Sequence, residues 1–296
     1  MKTSTVESDI GVLNVREEGH GPSVVFLHGL MTNSTVWDEV VQDLTQRARC
    51  VLLDLPMGAH RRPANPDADL SIPGIAAALA PVLARLCPEG YVLVASDTGG
   101  VVAQEMLCRH PGGIRAALLL PCDLYENFLP LSLRYLQAAA HVPGAMLAVR
   151  WALEVGVVRR LPIAFGWLTR RGLTPQLLRE TIDPLRDPRI RRDLARLLQA
   201  IDPGITRATA ALLPETEVST FFLWSSEDRL FPVEDARRLA EAMGRRATFA
   251  QVEGAYSFIQ IDRPARVVAA VEDVLDGSGP LVPENPALAV RPISSD

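Results

Sequence analysis

The segment Tyr91-Val-Leu-Val-Ala-Ser-Asp97-Thr-Gly-Gly places one carboxylate where a run of strand-forming residues gives way to a helical one. Ala95 and Gly99 flank Asp97 two positions away on either side. That is the small-x-nucleophile-x-small spacing in which a tight, strained turn lifts one side chain above a sheet. A carboxylate in that seat can attack carbon to form an ester or move a proton. Ser96 is the alternative nucleophile, but Val94 and Thr98 stand at its flanks and are too bulky for the turn.

Short apolar runs rich in Val, Leu and Phe, separated by helical stretches, are the pattern of a parallel sheet buried on both faces. Val24 to Leu27, Val51 to Leu53, Tyr91 to Ala95, Ala116 to Leu120, Phe221 to Trp224 and Thr248 to Val252 read as core strands. Ahead of them Thr5 to Arg16 alternates around Gly11, as an antiparallel edge hairpin would. Between Tyr125 and Leu213 no strand is expected. Leu/Ala/Arg-rich helical segments punctuated by prolines read there as a lid inserted over the sheet. Arg189 to Arg196 reads as a solvated helix face or as a contact for an anionic partner. The last stretch, 277–296, is Pro- and Ser-rich and is expected to be loosely held.

With 296 residues, 48% of them hydrophobic, the chain can bury a large core. A formal net charge of −5 argues against a partner whose affinity comes from neutralising phosphates, so no nucleic acid is expected. No basic-then-apolar leader opens the sequence, and no apolar run reaches the roughly 18 residues needed to span a bilayer. The expectation is a cytoplasmic protein with a small-molecule substrate and no membrane partner. Cys50, Cys87, Cys108 and Cys122 lack C-x-x-C spacing and read as reduced residues, mostly in the core, with no metal site and no cofactor expected.

The strand Val24-Val-Phe-Leu ends in His28-Gly29-Leu30-Met31, and with the turn at Asp97 the chain here resembles the α/β-hydrolase superfamily. The resemblance implies an α/β-hydrolase fold: a mostly parallel eight-stranded sheet flanked by helices, with a core over 1–124 and 214–276 and a helical cap over 125–213. It implies an oxyanion hole made by the backbone N–H groups of Leu30 and Thr98. Asp228, in Ser225-Ser-Glu-Asp228-Arg-Leu-Phe-Pro232, matches the family's catalytic acid. Asp at the nucleophile seat resembles the epoxide-hydrolase and haloalkane-dehalogenase branches. Thr98 replaces the Trp that typically follows there, and Tyr125 or Tyr135 takes the place of the cap tyrosines.

One departure carries chemistry. The turn that bears the family's general base aligns with Glu253-Gly-Ala-Tyr-Ser257-Phe, so Ser257 stands where the histidine would. The five histidines, His20, His28, His60, His110 and His141, all precede that turn. Either His60 or Asp228 substitutes as base for an Asp97 ester, or no ester forms. In the second case Asp97, sharing a proton with Asp228, serves as an acid/base for elimination, isomerisation or cyclisation, with the Leu30 and Thr98 N–H groups on a developing enolate. A non-catalytic binding protein on the same scaffold is the third reading. The pocket is expected to be bordered by His28, Tyr125, Glu126, Asn127 and Tyr256 as well as by Asp123. Asp123, with Glu126 three residues on, reads equally as a helix N-cap.

Overall fold

The computed structural model describes residues 2–277; the expected loose tail, apart from its first residue, lies outside the described residues. Eight strands form one sheet: β1 (Lys2–Ser8), β2 (Gly11–Glu18), β3 (Ser23–Leu27), β4 (Arg49–Leu53), β5 (Tyr91–Ala95), β6 (Ile114–Leu119), β7 (Ser219–Ser225) and β8 (Ala247–Val252). Their order is β1-β2-β4-β3-β5-β6-β7-β8. β1 and β2 form the antiparallel edge hairpin, β2 pairs antiparallel with β4, and every later pairing is parallel.

Strand periodicity sorts the apolar residues onto the two faces. Val24, Phe26, Val92 and Val94 pack on one side with Trp37, Leu44, Val267 and Val271, which brings in helices α1 (Asp38–Leu44) and α12 (Pro264–Leu275). Val25, Leu27, Leu93 and Ala95 pack on the other with α2 (Ile72–Leu86) and α3 (Thr98–Arg109). All five residues of β5 are buried, as a central strand covered on both faces requires.

Between β6 and β7 the chain is helical: α4 (Arg134–Ala140), α5 (Ala145–Glu154), α6 (Gly156–Arg159), α7 (Pro175–Ile182), α8 (Pro188–Gln199) and α9 (Pro203–Leu212). Three prolines of this block start helices. Pro175, Pro188 and Pro203 open α7, α8 and α9 behind the side-chain caps of Thr174, Asp187 and Asp202. After β7 come α10 (Val233–Met243) and, past β8, α11 (Ile259–Asp262).

Buried polar links tie the helical block to the sheet domain. Asp193 on α8 accepts from the backbone N–H of Ala64 and faces His60 at 3.2 Å, while Arg192 and Arg196 donate to the carbonyls of Ala64 and Ala68. The Arg189–Arg196 stretch therefore clamps the core in part and is not simply a solvated face. On the other side, Asp262 accepts from Thr169 Oγ1 at 2.6 Å and from the backbone N–H groups of Arg170, Arg171 and Tyr256. Asp262→Ala would leave these donors without their acceptor, and we expect it to lower unfolding stability by about 2–4 kcal/mol in urea titration.

Candidate active site

Asp97 sits between β5 and α3 at φ 54 and ψ −138, a backbone region that a residue other than glycine occupies only when its surroundings enforce it. Its N–H donates to the carbonyl of Pro121 at 2.7 Å, which fixes the turn from behind. A Cβ on Gly99 would lie 2.3 Å from the carbonyl oxygen of His28, so only glycine lets α3 start so close to β3. Gly29 serves the same end from the other side: a Cβ there would meet Asp97 Cβ at 2.3 Å and Oδ1 at 2.5 Å.

The backbone N–H groups of Leu30 and Thr98 both donate to Asp97 Oδ1, at 2.9 and 2.5 Å. The pair of donors is thus engaged by the protein's own carboxylate, which corrects the expectation that they stand open for a substrate enolate. Burial raises the pKa of Asp97 above the ordinary carboxylate value, and the two N–H groups work against that rise. Oδ2 has no hydrogen-bond partner among the described residues.

Asp228, just past the end of β7, accepts through Oδ1 from Leu230 N and Phe231 N at 2.8 Å each and from Ser257 Oγ at 2.9 Å. Its Oδ2 is buried without a hydrogen-bond partner. Burial, with the charge of Asp97 adding to it, pushes its pKa up to about 6. The hydroxyl of Ser257 therefore meets the acid that would have oriented a histidine. Because the folded-state value lies above the ordinary 3.8, the native protein keeps an extra proton between these two pH values. Stability consequently falls as pH rises from about 4 to about 6 and stays lower above that. Asp228→Asn should have a higher unfolding free energy than the parent protein above pH ~6, by roughly 3 kcal/mol in urea titration, and the gap should close below pH ~4.

Asp123 follows β6 and is almost fully buried, with both carboxylate oxygens unpartnered. Burial, and next the charge of Asp97, drives its pKa well above the usual range. It caps no helix: the chain makes a turn in which Asn127 N donates to Leu124 O, and the first cap α-helix starts only at Arg134.

Asp97 and Asp123 line one apolar cavity with Leu30, Met31 and Phe231 of the sheet domain, and with Leu133, Phe165 and Leu168 of the helical block among others. Its free volume is about 30 Å³, far below the roughly 300 Å³ at which ligand pockets begin. Tyr135 also lines it and donates its hydroxyl to Ile163 O at 2.7 Å.

Several expected pocket residues stand elsewhere. His28 is buried beneath the site, its Nε2 accepting from Leu55 N at 2.8 Å, and burial lowers its pKa to about 4, so it is a neutral strut. Tyr125, at φ 50, turns outward beneath the Arg238 guanidinium, 4.3 Å from its ring centroid. Glu126 is exposed, and Asn127 Nδ2 donates to Leu230 O at 3.0 Å, bracing the loop that carries Phe231. Tyr256 packs against Arg229. His60 is held by Asp193 and His141 is exposed at the end of α4; no histidine lines the cavity. Ser96 is fully buried and accepts from Gln260 Nε2, away from the cavity. Sequence reading missed Phe231, Phe165 and Leu168. Phe231 alone left a signal, three residues after Asp228 in the same loop.

The sequence profile of the alpha/beta hydrolase family matches residues 24–271, and the chain belongs to that family. An uncharacterized protein of Mycobacterium tuberculosis is 27% identical over 281 residues, covering 92% of this chain and 81% of its own. A pimeloyl-[acyl-carrier protein] methyl ester esterase of Chromobacterium violaceum is 26% identical over 235 residues, 78% of this chain and 85% of that one. Among solved structures, an alpha/beta hydrolase fold protein from Burkholderia ambifaria superposes with a TM-score of 0.75 at 19% identity, over 91% of this chain and 97% of that one, which speaks to fold.

Proposed function

We propose that this enzyme converts a small hydrophobic organic molecule without a cofactor, using Asp97 as an acid/base in elimination, isomerisation or cyclisation. One observation carries the reading: Asp97 Oδ1 is locked by two N–H groups and Oδ2 has no hydrogen-bond partner among the described residues, in an apolar cavity whose other carboxyl, Asp123, has its pKa driven up by burial and whose lining includes no imidazole. Oδ2 takes a proton from carbon, and Asp123 gives one to the departing or developing oxygen. In an isomerisation Asp97 returns its proton at a second carbon. The dry surroundings strengthen the base, because a desolvated carboxylate binds a proton more tightly than a solvated one.

A second reading is hydrolysis of an epoxide, ester or carbon–halogen bond through an Asp97 ester. It is favoured by the same Oδ1 contacts: attack of Oδ2 on an alkyl carbon breaks the bond to halide, to the epoxide oxygen or to the carboxylate of an ester, and leaves an Asp97 ester whose carbonyl oxygen already accepts from Leu30 and Thr98. The methyl ester esterase named above also leans this way.

Nitrobenzisoxazole, whose ring opens when a base removes one proton, separates the readings when run beside styrene oxide, bromohexane and nitrophenyl butyrate in water labelled with heavy oxygen. Ring opening with no label and no protein adduct supports proton transfer. A substrate-sized adduct, or label in the peptide containing Asp97, supports the ester route and overturns the first reading.

A further inference from the structure

The large apolar side chains left exposed among the described residues all lie between Leu131 and Ile163, in the helical block. Leu131 is 80% exposed, Val157 70% and Trp151 58%. Tyr135 and Ile163, 41% and 45% exposed, belong to this patch and also line the cavity of Asp97, so the way in from solvent opens through apolar surface. Charge is concentrated in the same place. Residues 131–172 hold six arginines against one acid, Glu154, with which the buried Arg150 pairs, in a chain whose formal net charge is −5. Arg159, Arg160, Arg170 and Arg171 line a single cleft with Gly156, which lies between the exposed Val155 and Val157. Arg170 and Arg171 pair with Glu227 and Glu39, whereas the exposed side chain of Arg160 has no hydrogen-bond or ion-pair partner among the described residues.

Contiguous exposed apolar surface marks a docking face, and a tryptophan with aliphatic neighbours beside arginines is the composition that settles into the headgroup layer of an anionic bilayer. We propose that this face of the helical block docks on an anionic lipid surface, so that the cavity mouth at Tyr135 and Ile163 meets the acyl region. Docking rests on the patch and its arginines alone; only the further step, uptake of a lipid-dissolved substrate through that mouth, rests on the function proposed above. No described helix is long and apolar enough to cross a membrane, and none is needed for peripheral binding. The expectation of no membrane partner rests on the lack of a leader and of a bilayer-spanning apolar run, which does not register a surface patch of this kind.

Cosedimentation of the full-length protein with vesicles tests docking without any substrate. Vesicles of phosphatidylglycerol and phosphatidylcholine in equal parts should bind about tenfold or more better than pure phosphatidylcholine, and high salt should erase the difference. Trp151 emission should shift to the blue on binding. The double change Trp151→Ser and Val157→Ser should weaken binding about tenfold, and Arg160→Glu should reduce the preference for anionic vesicles. Unchanged thermal melting would show that these exposed positions leave the fold intact. Absence of binding, equal binding to both vesicles or indifference to these substitutions would overturn the proposal. So would sedimentation showing that the Trp151/Val157 change turns a dimer into a monomer while the parent protein ignores vesicles, since the face would then belong to a second copy.

Discussion

Asp97→Asn should lower the rate of nitrobenzisoxazole ring opening by about 10²- to 10⁴-fold while leaving the fold in place. The asparagine carbonyl oxygen can accept the same two N–H bonds from Leu30 and Thr98, so the turn keeps its anchors and only the basic oxygen is lost. Circular dichroism of the variant should match the parent protein and its thermal melting should be no lower, since burial already disfavours the charged carboxylate, and this separates lost chemistry from lost structure. The pH profile supplies a second readout. Because the ionised form is the base and burial raises its pKa, activity should climb with pH along a limb lying above the ordinary value of 3.8. Full activity in Asp97→Asn would end both enzymatic readings at once.

Gly29→Ala is expected to cost as much activity from a residue with no chemistry of its own. The added methyl would fall 2.3 Å from Asp97 Cβ, 2.4 Å from Cγ and 2.5 Å from Oδ1, separations no real contact tolerates. Either the carboxylate swings out of its two N–H bonds or β3 and α3 spread, and overpacking of that kind costs about 1–3 kcal/mol. We therefore expect the rate to fall about 10²-fold or more together with a lower urea midpoint. This stability loss distinguishes Gly29→Ala from Asp97→Asn. In the double variant the activity losses should not add, because both act on one oxygen atom.

How much of this was legible in the sequence follows from how local each cause is. β5 could be read to the residue because five consecutive apolar side chains between polar or turn-forming neighbours suit a strand covered on both sides. The bend at Asp97 was legible because the steric demand of the turn falls on its immediate neighbours, Ala95 and Gly99. Motif order gave the positions of Asp228 and Ser257, but not the hydrogen bond between them, which depends on how the two loops meet at the strand ends. The cavity wall was another matter. Tyr125 is close in sequence to the end of β6, yet its left-handed backbone turns it out to Arg238, whereas Tyr135, Phe165 and Leu168 reach the cavity from helices and turns whose packing leaves no periodic trace. Asp123 and Glu126 have the spacing of a capping box, but the chain there makes a turn and no helix follows directly. The commitment of the Leu30 and Thr98 donors to Asp97 itself is invisible to any motif, because it depends on a side-chain torsion.

The small void beside Asp97 sets a kinetic rule for whatever the enzyme accepts. With about 30 Å³ free, the cavity is too small for a substrate of the proposed kind, so binding should draw on a rarer conformer in which the helices above are expanded. Measured affinity is then the intrinsic affinity scaled by the fraction of molecules that are expanded at any instant. Association rates should accordingly level off at high ligand concentration, at a ceiling set by the protein's own opening frequency.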